Sequence, residues 1–148
     1  MSNAHDLVQR WIAVFNDRDF GACAALGAER YIEHTVAPFG QSAPGEVAGP
    51  AHLRQTAEWL LGQFPDLHMS VQALVVDDDT VAVRVLSEGT NLGPLNGVLP
   101  PTGRRFSAEQ SHWFRIADSR LAEHWATRDD LGTMLQLGVI APPGRPGR

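Results

Sequence analysis

The sequence predicts an α+β domain in which helices come first and a curved antiparallel sheet follows. Apolar residues recur at helical spacing in residues 4–15 and 51–64. Residues 67–76, 80–90 and 106–128 instead alternate between apolar and polar side chains, as half-buried strands do. Because helices that cover one face of a strongly bent sheet enclose space beneath them, we expect a cone-shaped sheet with a cavity.

The first part of the chain is predicted to be mainly helical. Residues 4–15 form a core-facing helix, residues 20–29 a short alanine-rich helix, and residues 31–36 alternate like a strand. Residues 37–50 contain three prolines and three glycines, which predicts a long irregular loop and a candidate lid over a site. A third helix over residues 51–64 then precedes the main sheet.

The second part is predicted to build the sheet. Residues 67–76 and 80–90 are expected to pair as a hairpin, and residues 91–105 hold too much proline and glycine to continue a strand. Residues 106–128 form a second hairpin with its turn at residues 117–119.

A short helix capped by Asp129 or Asp130 is expected to close the domain. We place one domain at residues 1–140, and we expect residues 141–148, which are rich in proline, glycine and arginine, to form a flexible tail.

Composition excludes several functional classes. The net charge of −5 and the pI near 5.6 argue against nucleic-acid binding, and no apolar run suits a membrane span. The N-terminus has no pattern of an export signal, so we expect a cytoplasmic protein.

The single cysteine, Cys23, allows no internal disulfide. Neither a metal-ligand spacing nor a glycine-rich phosphate loop is present, and we therefore expect no metal and no cofactor.

Two histidines lie in the middle of the strands of the predicted second hairpin. Because strand side chains alternate, His112 shares one face of its strand with apolar residues such as Phe114. His124 shares a face of the next strand with Ala126 and Arg128. An imidazole on an apolar strand face predicts a lined pocket, although a core histidine bonded to a backbone carbonyl would give the same pattern.

Several segments resemble one known family. They are FPDLH at residues 64–68, PTG at residues 101–103, HWFRIADSRLAEHW at residues 112–125 and DLGTMLQLG at residues 130–138. Their order and spacing over residues 11–139 resemble the SnoaL-like polyketide cyclases. The resemblance implies the cone-shaped fold of the nuclear transport factor two superfamily, and we expect a homodimer formed through the open sheet face.

The resemblance also implies a reaction, the cofactor-free intramolecular aldol closure of a polyketide ester. His112 matches a pocket histidine of these cyclases. Their acid/base aspartate follows the tryptophan of the EHW motif, where this chain has Ala126, and a methyl group cannot move a proton. We therefore expect acid/base chemistry from His112, His124 or Asp129. Arg128 would hold an oxyanion or a carboxylate.

Further contacts to a hydrophobic small molecule are expected from His34 at the entrance and from Phe15, Trp113 and Ala126 in the wall. Each position also has a structural interpretation: His34 as a surface residue at a strand end, and the aromatic side chains as ordinary core. The direction in which His124 points depends on a strand register that the sequence leaves open.

Two other functions remain open at this point. One is a cofactor-independent hydroxylase-like relative in aromatic polyketide biosynthesis. The other is a non-catalytic domain that binds a hydrophobic ligand in the same cavity.

Overall fold

A computed structural model describes residues 3–40 and 43–144 as an α+β fold of four α-helices and a six-stranded sheet. The elements are α1 (Ala4–Asn16), α2 (Cys23–Leu26), β1 (Gly27–Glu33), β2 (Gly45–Val47), α3 (Gly49–Gln63), β3 (His68–Asp77), β4 (Thr80–Thr90), β5 (Arg105–Ala117), β6 (Arg120–Arg128) and α4 (Asp130–Leu137).

The strands lie in the order β2-β1-β6-β5-β4-β3. All neighbouring strands pair antiparallel except β1 and β6, which run parallel. The sheet is therefore mixed, whereas the sequence predicted an antiparallel sheet. The exception arises because β1 precedes the β3 to β6 meander in the chain and then joins its far edge. This parallel pair sets Glu33 beside His124.

The two predicted hairpins are confirmed. Strand β4 has the predicted bounds, and tight turns join β3 to β4 and β5 to β6. Asp78, Asp118 and Ser119 have positive φ angles in these turns, a conformation that short polar residues tolerate better than bulky ones.

Helix α1 shows how the core is built. Asn3 caps it by accepting a hydrogen bond from the Asp6 backbone N–H at 2.7 Å. Six of its apolar residues are buried under the sheet, namely Leu7, Val8, Trp11, Ile12, Val14 and Phe15. The inward residues of β4 (Val81, Val83 and Val85) are fully buried opposite the helices. The core therefore lies between the helices and the concave face of the sheet.

The first half of the chain departs from the predicted elements. The predicted helix over residues 20–29 is a 3₁₀ turn at Phe20–Ala22 followed by α2, and β1 begins at Gly27. The predicted loop over residues 37–50 contains strand β2 and the start of α3. Strand β2 is only three residues long and pairs with β1 at the sheet edge, so its sequence carries too few alternating positions to reveal it.

Part of the expected C-terminal tail, residues 145–148, lies outside the described residues. Among the described residues, no helix combines the length and apolar character that a membrane crossing requires.

Close packing of β1 against α3 requires a glycine at position 49. A Cβ atom there would lie 2.1 Å from the backbone oxygen of Ala28. We expect Gly49→Ala to lower the free energy of unfolding by about 1–3 kcal/mol, because β1 and α3 would have to separate. Gly62→Ala, in the same helix but with open space around its Cβ, is the matched control and should be neutral or stabilising. Equal urea denaturation midpoints for the two variants would contradict this view of the β1–α3 contact.

Candidate functional site

A cavity lies between the concave face of the sheet and the helices. It contains about 980 Å³ of space not filled by atoms, including solvent space at its mouth. Its aromatic lining residues are Trp11, Phe15, Tyr31, Phe39, Phe64 and Phe106. Its polar lining residues are Glu33, Thr35, His52, Thr56, Ser87, Gln110, His112, His124, Arg128, Asp130 and Thr133. A mostly apolar cavity with a few convergent polar groups is typical of a small-molecule site.

His112 lies on β5 with its side chain in the cavity wall. It is buried, and its ring centroid is 4.8 Å from that of Trp11. Its Nε2 lies 2.9 Å from Oε1 of Gln110, and its Nδ1 lies 2.9 Å from Nε2 of His124. Burial, followed by the nearby charges of His124 and Arg128, lowers the pKa of His112 well below its ordinary value. His112 is therefore held as a neutral imidazole.

Glu33 joins His124 to His52. His124 Nδ1 donates to Glu33 Oε2 at 2.7 Å, and His52 Nε2 donates to Glu33 Oε1 at 3.0 Å. Burial alone would raise the pKa of this carboxyl, but the hydrogen bonds from His124 and His52 outweigh burial and lower the pKa to about 2. Glu33 is therefore an anion in the cavity wall.

Strand register explains why these side chains meet. In the parallel β1–β6 pair Glu33 stands opposite His124, and in the β5–β6 pair His112 stands opposite Ala126. His124 stands opposite Phe114 in that pair, so its ring contacts His112 diagonally. The series of hydrogen bonds therefore crosses three neighbouring strands.

Arg128 contributes a largely buried cation to the same wall, with its side chain 10% exposed. It stands opposite Gln110 in the β5–β6 register and donates a hydrogen bond to the backbone oxygen of Val36. Its Nε lies 3.4 Å from Oδ1 of Asp130, but no atom among the described residues accepts a hydrogen bond from this Nε. A buried donor without an acceptor is costly, and an anionic or carbonyl oxygen in the cavity would satisfy it.

Four sequence-predicted site residues line the cavity, namely His112, His124, Arg128 and Phe15. Three residues of the predicted lid, Ala37, Pro38 and Phe39, line it as well. The register that the sequence left open directs His124 inward, where it is buried.

Four other predicted site residues lie elsewhere. Trp113 is on the outer face of the sheet and is 45% exposed, because strand alternation turns it away from His112. His34 is also outside the cavity, with its ring stacked on Trp125 and its Nε2 bonded to Glu123 at 2.8 Å. The prediction that Trp113 forms part of the cavity wall is therefore wrong, and His34, which was predicted at the entrance, does not line the cavity.

Asp129 and Ala126 are likewise absent from the cavity lining. Asp129 caps α4, because its Oδ1 accepts a hydrogen bond from the Gly132 backbone N–H at 2.8 Å. Asp129 thus has the structural role, and the neighbouring Asp130 is the carboxylate that lines the cavity.

Sequence reasoning missed two functional residues of the cavity wall, Glu33 and His52. The available signal for Glu33 was its spacing from Tyr31 and Thr35, since the three residues alternate onto one face and all line the cavity. His52 offered no such signal, because its contact with Glu33 depends on how α3 crosses β1. Among residues 3–40 and 43–144, no group of three or more His, Cys, Asp or Glu side chains is arranged to hold a metal ion.

Comparison with known proteins identifies relatives. The family model described as SnoaL-like polyketide cyclase matches residues 5–137. The aklanonic acid methyl ester cyclase DauD of Streptomyces sp. (strain C5) is 31% identical over 143 residues, which are 96% of this chain and 86% of the relative. The nogalonic acid methyl ester cyclase of Streptomyces nogalater is 33% identical over 91 residues, which are 61% of this chain and 67% of the relative.

A solved structure of a similar protein has the same fold. The crystal structure of IdmH from Streptomyces antibioticus superposes with a TM-score of 0.76 at 29% identity, covering 93% of this chain and 99% of IdmH.

The ionised Glu33 makes stability depend on pH. The fold lowers the pKa of Glu33 from 4.5 to about 2. The contribution of its charge to the free energy of unfolding is therefore complete above pH 4.5 and is lost as the pH falls toward 2. We expect Glu33→Gln to be less stable at pH 7 by on the order of 2–3 kcal/mol, and the deficit should shrink in acid. Denaturant unfolding at a series of pH values measures this. Glu46→Gln, in an exposed ion pair with Arg30, is the control and should differ little at any pH. A deficit that stays constant down to pH 2 would contradict the assignment.

Proposed function

The chain belongs to the SnoaL-like polyketide cyclase family, and from this premise we propose that it closes a ring in an aromatic polyketide methyl ester by intramolecular aldol addition. The reactions for which DauD and the nogalonic acid methyl ester cyclase are named support this substrate class. The apolar, aromatic lining of the cavity suits a flat conjugated molecule, because stacked rings bury large areas in defined orientations.

His112 is the proposed acid/base residue. In the first step its Nε2 takes a proton from the activated methylene of the substrate, which leaves an enolate. The enolate carbon then attacks a ketone carbon of the same molecule, and the resulting alkoxide takes the proton back from Nε2. The atoms of the substrate are all retained, so the product is an isomer. A positioned imidazole of this kind is worth about 10²–10⁴ in rate.

Arg128 is the proposed partner of the negative charge. Its buried Nε has no acceptor among the described residues, and an enolate or ester oxygen would supply one. The cation would then stabilise charge that develops on oxygen when His112 removes the proton. Substrate orientation by the aromatic wall and the guanidinium would bring the reacting carbons together without a cofactor.

One observation favours catalysis over simple ligand binding. The imidazole of His112 is held neutral in the cavity wall and is connected through His124 to an ionised carboxylate. A pocket that only bound an apolar ligand would have no use for such a buried polar series, which costs free energy to desolvate.

Turnover of aklanonic acid methyl ester tests the proposal. We expect the wild type to yield a product of unchanged mass and altered chromatographic retention. His112→Ala should lower kcat by about 10²–10⁴ because the proton acceptor is lost. His68→Ala is the control, since His68 begins β3 outside the cavity, and it should retain full activity. A product that has gained one oxygen atom would support the hydroxylase alternative, and binding without turnover would support the ligand-binding alternative.

We also propose that the protein is a cytoplasmic homodimer that associates through the outer face of its sheet. Trp113 and Trp125 are neighbours in the β5–β6 register and are 45% and 38% exposed there. Together with Thr80, Arg115, Ala126 and Thr127 they line a shallow groove. Exposed aromatic side chains with a nearby arginine are typical of the energetic centre of an interface.

Sedimentation of charged variants tests the dimer. Trp113→Glu would place a carboxylate at the centre of the face, and we expect it to convert a wild-type dimer to a monomer. Val98→Glu, at an exposed site in the loop between β4 and β5, is the control and should sediment like the wild type. A wild type that is monomeric at micromolar concentration would contradict the proposal.

A further inference from the structure

The polar series in the cavity wall crosses the sheet from Gln110 through His112 and His124 to Glu33. Its hydrogen bonds are 2.9, 2.9 and 2.7 Å long. Each imidazole uses both ring nitrogens in the series, so the proton positions on neighbouring rings depend on one another. Because Glu33 is an anion that only accepts, Nδ1 of His124 must carry a proton.

With His112 neutral, two arrangements of protons satisfy every contact. In the loaded form, His124 is an imidazolium whose Nε2 donates to Nδ1 of His112, and Nε2 of His112 donates to the oxygen of Gln110. In the unloaded form, Nδ1 of His112 donates to Nε2 of His124, and the lone pair on Nε2 of His112 accepts from the amide nitrogen of Gln110. The two forms differ by one proton and by a half-turn of the Gln110 amide, whose oxygen and nitrogen have nearly the same shape.

We propose that the proton removed from the substrate is stored as an imidazolium on His124, against Glu33, while His112 remains neutral. We term Glu33, His124 and His112 the relay. The inference rests on the proposed cyclase function and assigns Glu33 and His124 as positioning residues for it.

The steps balance within the relay. The substrate C–H bond breaks and an N–H bond forms at Nε2 of His112, in the place that the Gln110 amide occupies in the free protein. The Nδ1–H bond of His112 breaks, and its proton forms the Nε2–H bond of His124. After the carbon–carbon bond has formed, the alkoxide takes the proton from Nε2 of His112, and the proton on Nε2 of His124 returns to Nδ1 of His112. No co-reactant is needed.

The surroundings favour charge on His124 over charge on His112. His124 donates directly to Glu33, whereas His112 lies against Trp11 and close to the Arg128 cation. The other ionisable side chains that line the cavity are Tyr31 on β1, His52 on α3 and Asp130 on α4. His52 donates to the second oxygen of Glu33, which fixes the carboxylate with its first oxygen toward His124.

The test compares Glu33→Gln with Glu33→Asp. Loss of the anion makes the imidazolium less favourable, so the relay becomes a weaker base. With aklanonic acid methyl ester as the probe, we expect Glu33→Gln to lower kcat about 10- to 100-fold with little change in KM. We also expect the acid limb of its kcat/KM profile to move to lower pH by about one unit. Glu33→Asp keeps the charge and should keep the acid limb. Glu123→Gln, which removes a carboxylate bonded to His34 and Arg115 on the outer face, is the matched control.

A second measurement needs no substrate. In ligand-free protein with ¹⁵N-labelled histidine, ring signals of His124, assigned by its absence in His124→Gln, should titrate at lower pH in Glu33→Gln than in Glu123→Gln. His112 should remain a neutral imidazole throughout.

The possible outcomes distinguish a failure of the relay proposal from a failure of the cyclase proposal. If the wild type turns over the probe and the acid limb is the same in Glu33→Gln, the relay is overturned and the cyclase stands. If the wild type does not turn over the probe, the cyclase proposal fails. The NMR titration then decides the relay alone, and a His124 titration unmoved by Glu33→Gln overturns it.

Discussion

The pairing of the Glu33 carboxylate with two histidines is the interaction on which the site depends. A carboxylate in an apolar cavity is costly unless its oxygens are bonded, and here His124 satisfies one oxygen and His52 the other. These bonds connect strands β1 and β6 and helix α3. The ionised Glu33 therefore also holds the three elements in their relative positions. His112 then takes its orientation from His124, which leaves a neutral imidazole facing the cavity.

The parallel β1–β6 pair is the backbone feature that makes this pairing possible. Strand β1, from the beginning of the chain, joins the edge of the meander that the second half of the chain forms. Glu33 therefore stands opposite His124, although the two residues are 91 positions apart in sequence. Alternation along β1, β5 and β6 directs the polar residues of the site to the concave face and leaves Trp113 and Trp125 outside. One sheet therefore provides a cavity on one face and an aromatic surface on the other.

The parts of the fold that local patterns determine could be predicted from the sequence. Strand β4 has its predicted bounds because alternation over many residues is a strong signal, and the same reasoning placed His112 on an apolar face. The role of Glu33 could not be predicted, since it depends on contacts between segments that are distant in sequence. Trp113 was assigned to the pocket because of its size, although its odd position in the strand directs it outward. Size indicates burial only weakly, because many large apolar side chains remain exposed on folded proteins.

The central claim is that substrate occupies the cavity with its acidic carbon at Nε2 of His112. The most direct measurement is a crystal structure of the His112→Gln variant soaked with aklanonic acid methyl ester, in which turnover is blocked but the shape of the site is kept. We predict that the activated methylene lies about 3–3.5 Å from the side-chain amide at position 112, with an ester or ketone oxygen on Arg128. A ligand bound only in the groove at Trp113 and Trp125, or bound in the cavity with its methylene directed away from position 112, would contradict the account.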